Sequence, residues 1–563
     1  MRTKRLWATL HPFHEAGSAL GRREANRSFL DALLEVDPFD GYHFFLSSRD
    51  ACDGLQGDLA ERFPDVSGQG RIGFATWNEL PAALARHDYH CLHLSDPFVL
   101  HVAAQALRNR YSRRIFPVTA TTHSLSYPDY GPQFLHHMWP GVTARDAIIA
   151  TSRCGAAVVE KYYASIRASY GLASDAFPAP QVRIIPLGVD PAAMPSPKER
   201  TTLGKACRNT YGIGEELCFL CFARLSFHSK MDLLPILRAC KRAESAGLPR
   251  DGYRLVLAGW AKDEDTYPEE IRRLAQGLGI RCTVVPRPDH EERKALYAAA
   301  DVFLSPSDNI QETFGLTLLE AAVAALPVIA SDFDGYRDIV IPDVTGILVP
   351  TVGPSATPAT DAMSQIEPEA MYHLRLAQQT AVDVDGLGRA MARLGLDAMR
   401  REDMGRLGRE RALGKFTWRH AVEGHLRLWA TLNDAPCDVP DDPLQRPERM
   451  LRHPAIPPAT DVFSSHYASQ LDARDDDSVR LSAPGRAVYR KADFPVLYGP
   501  MGDMVEEERL RRLLFHARHP ITLGVLRRIL ARDADGAVPA DPDFLLLWAL
   551  KHDLLEWDGP LST

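Results

Sequence analysis

Apolar and polar positions along this chain fall into two rhythms that take turns. Short apolar runs, KRLWATL, YHFFLSS, RIGFAT, YHCLHLSDP, RIFPVTATTHS, DAIIATS and VRIIPLGVD, read as six or seven strands. Between them lie stretches of helical period such as REANRSFLDALLEV. The rhythm resumes with ELCFLCF, YRLVLAGW, IRCTVVP and DVFLSP, each followed by helix-like sequence. Strands that alternate with helices specify a parallel, doubly wound sheet, because each crossover helix must pack back onto a sheet face. The chain's 563 residues exceed what one core organises, which predicts two large domains plus an addition. The expected fold class is therefore α/β: two Rossmann-like domains, plus a small, mainly helical C-terminal module.

The most informative stretch is residues 305 to 350, where Glu312 and Glu320 bracket a Phe-Gly turn. DVFLSP should run into a polar loop, and a helix should begin near Phe314 and Gly315, continue through LTLLEAAVAAL and stop before Pro327. At such a helix start the backbone N–H groups of Thr313, Phe314 and Gly315 attract oxygen-rich or anionic ligands, and a glycine permits close backbone approach. Glu320, about two turns further on, is placed to accept two hydrogen bonds from a vicinal diol such as ribose. Glu312, just ahead of the helix, is placed to accept from hydroxyls of a sugar. The plainer alternatives are an exposed helical charge for Glu320 and a helix cap for Glu312.

The surrounding pattern decides between them. S-P-S, the Glu-x7-Glu pair, F-G-L, L-E-A, P-V-I-A-S-D, a glycine and T-G-x-L-V together resemble the signature of the family 4 retaining glycosyltransferases (glycosyltransferase group 1 type), which have the GT-B fold. The chain departs from it at Ala325 and Leu326, where the family often has a small residue or glycine, and at Asp338, where it often has Glu.

The resemblance implies retaining transfer of a sugar from a nucleoside diphosphate donor. Arg224 and Lys230 match the family's R-x5-K variant and would neutralise the departing diphosphate. Glu312 and the turn Thr313, Phe314, Gly315 and Leu316 would hold the donor sugar, with Glu320 on the ribose. His123, at the C-terminal end of PVTATTH, would support the sugar from the opposite domain. Gly17, in the first loop, would meet a phosphate, although the usual Gly-Gly pair is absent. Val284 to Arg287 would contact the base. A front-face route is implied, so no nucleophile is named. Metal independence is implied too, since cations and helix termini would stabilise the diphosphate. No full G-x-G-x-x-G is present, which argues against a dinucleotide cofactor.

The implied domains are residues 1–195 on the acceptor side and 196–415 on the donor side. A helix at 416–432, within KFTWRHAVEGHLRLWATL, would cross back to the first domain. Residues 433–495, rich in Pro and Asp, read as a linker or extended arm, and 496–563 as a helical accessory module outside the resemblance. TVGPSATPATDAMSQIEPEA reads as a loop or insertion at the domain edge.

Charge and composition narrow the partners. A net charge of −8 gives no general attraction to nucleic acid or anionic membranes. Residues 501–563 hold 8 Lys and Arg against 11 Asp and Glu, the wrong sign for a nucleic-acid module, so protein contact or self-association is expected there. No apolar run is long enough to span a membrane, and MRTKRL lacks a following apolar segment, so a soluble, cytoplasmic protein is expected. Nine dispersed cysteines fit a reducing compartment, and Cys218 with Cys221 reads as buried packing rather than a zinc site. The D-x-D triplets, including Asp332 to Asp334, are expected by chance among 73 acidic residues. Two other classes stay open: a nucleotide-sugar epimerase of similar architecture, and an inactive sugar-nucleotide-binding scaffold.

Overall fold

The structure is a computed structural model and describes residues 4–14, 21–226, 229–262, 266–467, 471–495, 505–531 and 542–558. Gly17 lies outside the described residues. In the first sheet β1 (Leu6–Thr9), β2 (Gly41–Leu46), β3 (Ile72–Thr76), β4 (Tyr89–Leu94), β5 (Val118–Thr121), β6 (Ala147–Ala150) and β7 (Gln181–Ile184) lie in the order β3-β2-β1-β4-β5-β6-β7, and every pairing is parallel. The second sheet holds β8 (Leu217–Phe222), β9 (Tyr253–Gly259), β10 (Cys282–Pro286), β11 (Val302–Ser305), β12 (Val328–Ser331) and β13 (Gly346–Val349). Their order is β10-β9-β8-β11-β12-β13, again all parallel. The order reverses beside β1 and β8, and at such switch points open sheets form ligand crevices beyond their C-terminal strand ends. Both strand ends carry the polar loops that hold the candidate residues.

Each sheet is buried on both faces by its own apolar clusters. Cys218 and Cys221 are buried within β8, as packing predicts. Two features tie the domains together. Val189 donates its amide to the Phe416 carbonyl (2.8 Å), and a Cβ on Gly188 would meet the Trp418 backbone nitrogen at 2.3 Å, so only glycine lets the connection pass. The helix Trp418–Asp434 then inserts Val422 and Trp429 into the core of the first domain, where the Trp429 indole N–H donates to Thr119 Oγ1 (3.0 Å).

The departure at Ala325 has a structural consequence. The helix Leu316–Val323 ends with Ala325 in the left-handed region (φ 57°), a conformation that suits glycine. Ala325→Gly is therefore expected to stabilise the protein by about 1 kcal/mol, read as a higher denaturant midpoint.

The first domain also buries imidazoles. Burial pushes His101 and His137 down to about 3 and His425 down to about 4, and their neutral forms stabilise the fold. Because these values lie below the ordinary His range near 6.5, their stabilisation is complete above that pH and is lost as pH falls towards 4. Unfolding followed by tryptophan fluorescence should show acid destabilisation across that window.

The C-terminal module has its own core. It begins earlier than the helical pattern suggested: β16 (Ser478–Leu481) pairs antiparallel with β17 (Ile521–Thr522) and β18 (Leu555–Trp557), and Val479 and Leu481 are buried. Residues around 478–489 thus belong to a small α+β module, not to a linker; four strand residues among Asp and Pro carry too short a pattern to stand out. The preceding arm is docked on the first domain: buried Arg446 donates to the Asn109 carbonyl (2.7 Å), and the Asn109 amide donates to that of Met450 (2.8 Å). Among the described residues no helix is long and apolar enough to cross a membrane.

Candidate functional site

Three loops from the second sheet converge. Gly315 is the N-cap of Leu316–Val323 with φ 116°, and a Cβ there would meet the Tyr336 ring at 2.6 Å. Gly335 is equally constrained: a Cβ would meet the Thr313 carbonyl at 2.5 Å, so the 332–336 turn presses against the 312–315 turn. The loop after β8 brings Lys230 into an ion pair with Glu312. Ser307 Oγ fixes that loop by donating to the Lys230 carbonyl (2.9 Å).

Glu312 is heavily engaged. Besides Lys230, its Oε2 accepts from the Tyr336 hydroxyl (3.0 Å), and its Oε1 accepts from the amides of Thr313 (3.3 Å) and Phe314 (3.4 Å). This corrects the expectation that those two amides are free for a ligand. A glutamate next to a helix start satisfies orphan donors itself, and here that local capture prevails. Leu316, by contrast, is partly buried against apolar clusters of both domains, which puts it where they meet.

Glu320 is 8% exposed, so the reading as a solvated helical charge does not hold. Arg293 forms an ion pair with its Oε1, and the Tyr297 hydroxyl donates to Oε2 (2.8 Å). Each oxygen keeps a further lone-pair direction, so the carboxylate can still accept from a diol while protein donors fix its orientation. Arg293 and Tyr297 were missed in the sequence; their i, i+4 spacing in ERKALY, on the helix His290–Ala299, was the available signal.

Electrostatics single out the cations. Burial pulls the Lys230 ammonium down to about 8, against the pull of Cys221 and Glu320. Burial also lowers Arg224, whose guanidinium sits 5.9 Å from the Trp260 ring centroid. An anionic ligand would be drawn to a desolvated cation pair of this kind. Arg287 is exposed just after β10 with φ 56°, its amide held by the Gly259 carbonyl (2.7 Å). His123 is anchored within the first domain: its Nε2 lies 2.9 Å from Asn26 Oδ1 and 3.0 Å from the Ser95 carbonyl oxygen.

Asp334 gained no role from sequence, yet it belongs to this cluster. Its φ is 45°, its Oδ1 is buried without a partner, and burial raises its carboxyl to about 7. It adjoins Lys230 electrostatically and Cys154 of the first domain. Nearby, Asp338 accepts from the Arg153 amide (2.7 Å), so the shorter acid joins the two domains. Strain and an unsatisfied polar atom together mark a position kept for something other than stability.

Residues 208–380 match the family model described as glycosyl transferases group 1. A D-inositol 3-phosphate glycosyltransferase of Xylanimonas cellulosilytica is 32% identical over 212 residues, 37% of this chain and 46% of that protein. An alpha-maltose-1-phosphate synthase of Mycolicibacterium smegmatis is 32% identical over 181 residues, 31% of this chain and 40% of that protein. The chain thus spans less than half the length of these curated relatives. Among solved structures, a glycosyltransferase from Rickettsia africae ESF-5 aligns over 77% of this chain and 100% of its own, with a TM-score of 0.50 and 12% identity, a likeness of fold. Residues 208–380 thus resemble the glycosyl transferase group 1 family, within a fold of two Rossmann-like domains and an added C-terminal region.

Proposed function

We propose that the protein is a retaining glycosyltransferase that moves a sugar from a nucleoside diphosphate sugar to an acceptor hydroxyl. The observation that carries this reading is the Lys230–Glu312 ion pair at the start of the helix that holds buried Glu320. Similarity to named glycosyltransferases supports it, although over part of their length. In the proposed reaction the bond between the sugar's anomeric carbon and the diphosphate oxygen breaks. The acceptor oxygen bonds to that carbon on the same face, and the acceptor proton passes to the departing diphosphate. Lys230 and Arg224 stabilise the charge that develops there, which lowers the barrier without a metal ion. Glu320 binds the ribose, and exposed Arg287 borders the base, whereas the Val284 side chain is buried in the core. The 313–316 turn and His123 border the sugar. Protein contact or self-association is assigned to the C-terminal module.

The ion pair implies an exchange. Lys230 and Glu312 neutralise each other in the donor-free site, and a donor separates them: the diphosphate takes the ammonium and the sugar hydroxyls take the carboxylate. Glu312→Gln removes this competition. Its affinity for the free nucleoside diphosphate should rise by about 3- to 10-fold, since a partly buried ion pair is worth on the order of 1 kcal/mol. Its turnover should fall about 100-fold, because the sugar loses a charged acceptor. Calorimetry with UDP, GDP and ADP, paired with a transfer assay, checks both; weaker nucleotide binding would remove the exchange.

A further inference from the structure

The edge segment after β13 is not a bare loop. β14 (Thr351–Val352) and β15 (Ala381–Val382) pair antiparallel at its base, and it carries the helices Pro358–Met363 and Glu369–Ala377. From the second helix His373, 1% exposed, reaches the opposite domain: its Nε2 lies 2.8 Å from Ser126 Oγ, and its Nδ1 lies 2.9 Å from the Gln311 amide nitrogen, one residue before Glu312. With the Gln311 amide donating, the imidazole proton sits on Nε2 and points at Ser126. A single side chain therefore fastens the 124–130 segment to the donor turn.

That segment carries an aromatic ladder. The Tyr127 ring lies 5.4 Å from His373, edge-on, and 4.9 Å from Tyr130, which stacks on Phe98 at 3.7 Å. All three ladder rings are partly exposed. Burial raises both phenols, so at neutral pH each remains an O–H that can donate and accept. The Tyr127 phenol feels Arg224, Arg22 and Glu369, and the Tyr130 phenol feels Asp96 and Asp129. The ladder thus lies within electrostatic reach of the guanidinium assigned to the diphosphate and of charged groups of both signs.

Resting on the transferase reading, we propose that this ladder is the acceptor subsite and that the acceptor is a carbohydrate. A pyranose presents an apolar C–H face and a rim of hydroxyls. Its face lies against an aromatic ring, and its rim hydrogen-bonds to carboxylates and guanidinium groups; the ladder offers both. An acyl chain needs a continuous apolar groove, whereas here the rings lie in the field of three carboxylates and two guanidinium groups. The same three carboxylates repel a phosphorylated acceptor. His373 is a positioning residue that holds the platform in register with Glu312.

The test uses the full chain and methyl α-D-glucopyranoside and methyl α-D-mannopyranoside as probes, with glycerol 3-phosphate and dodecanol as the competing classes. Binding is read by saturation-transfer NMR, and nucleotide binding is measured separately by calorimetry with UDP, GDP and ADP. The expected result is saturation of a glycoside's C–H protons, an affinity about tenfold lower in Tyr130→Leu, and recovery in Tyr130→Phe. Glycoside binding that is unchanged in Tyr130→Leu, or binding of dodecanol or glycerol 3-phosphate in its place, overturns the proposal. Nucleotide binding without glycoside binding rejects the subsite and leaves the donor reading standing. Glycoside binding at Tyr130 without nucleotide binding keeps the subsite and rejects the donor reading.

Discussion

Lys230→Ala should lower turnover at saturating donor by about 100- to 1000-fold, as expected when one preorganised group that stabilises leaving charge is removed. Donor affinity should fall as well, but by less than kcat, because charge on the leaving diphosphate is greatest as the glycosidic bond breaks. Lys230→Arg keeps the charge but replaces a point ammonium with a planar fork, and should recover part of the rate. The pH profile adds a second readout. Burial lowers Lys230 to about 8, so the free enzyme loses its ammonium, and with it donor affinity, as pH rises through that value. Stability runs the other way. The lowered value means the fold disfavours the ammonium; this cost is present in full below pH 8 and is relieved as pH rises towards the unfolded value near 10.4. Donor binding that weakens while thermal stability rises over the same interval would identify Lys230 as the group. A fully active Lys230→Ala enzyme would remove its diphosphate role.

Glu320→Ala should act on both binding and stability. The ribose loses two hydrogen bonds to a charged acceptor, which corresponds to about 10- to 100-fold in donor affinity. Arg293 meanwhile loses its carboxylate partner in a largely buried setting, and breaking such a pair from one side costs roughly 3–5 kcal/mol. Glu320→Gln separates the two effects, since it keeps the shape and an acceptor for Tyr297 but removes the charge. Its donor affinity should still fall, with a smaller loss of stability. Calorimetry with each nucleotide and urea unfolding of both variants provide the check. Unchanged affinity in the glutamine variant would sink the ribose assignment.

Much of this site was legible because its determinants are local. The helix Leu316–Val323 follows from a glycine start and an apolar run that ends before Pro327, and both parallel sheets follow from unbroken apolar strands. Sequence-distant partnerships were not legible. Tyr336 reaches Glu312 only because Gly335 lets two turns touch, and Arg293 meets Glu320 across two separate crossover helices. His373 lies in a segment whose Pro, Thr and Ala composition reads as a loop, and its contact with Ser126 spans 247 positions. Asp334 was set aside as one of many acidic triplets; its left-handed backbone and unpartnered oxygen, which single it out, exist only once the chain is folded.

The central claim is a nucleotide-sugar site on the second domain, formed by Lys230, Glu312 and Glu320. Its most direct test is calorimetric titration of UDP, GDP and ADP, alone and as sugar conjugates, into the wild type and Glu320→Gln in the presence of EDTA. The account predicts that one base is bound selectively without metal and that its affinity drops in the variant. Failure of every nucleotide to bind the wild type, or equal binding by both proteins, would contradict it.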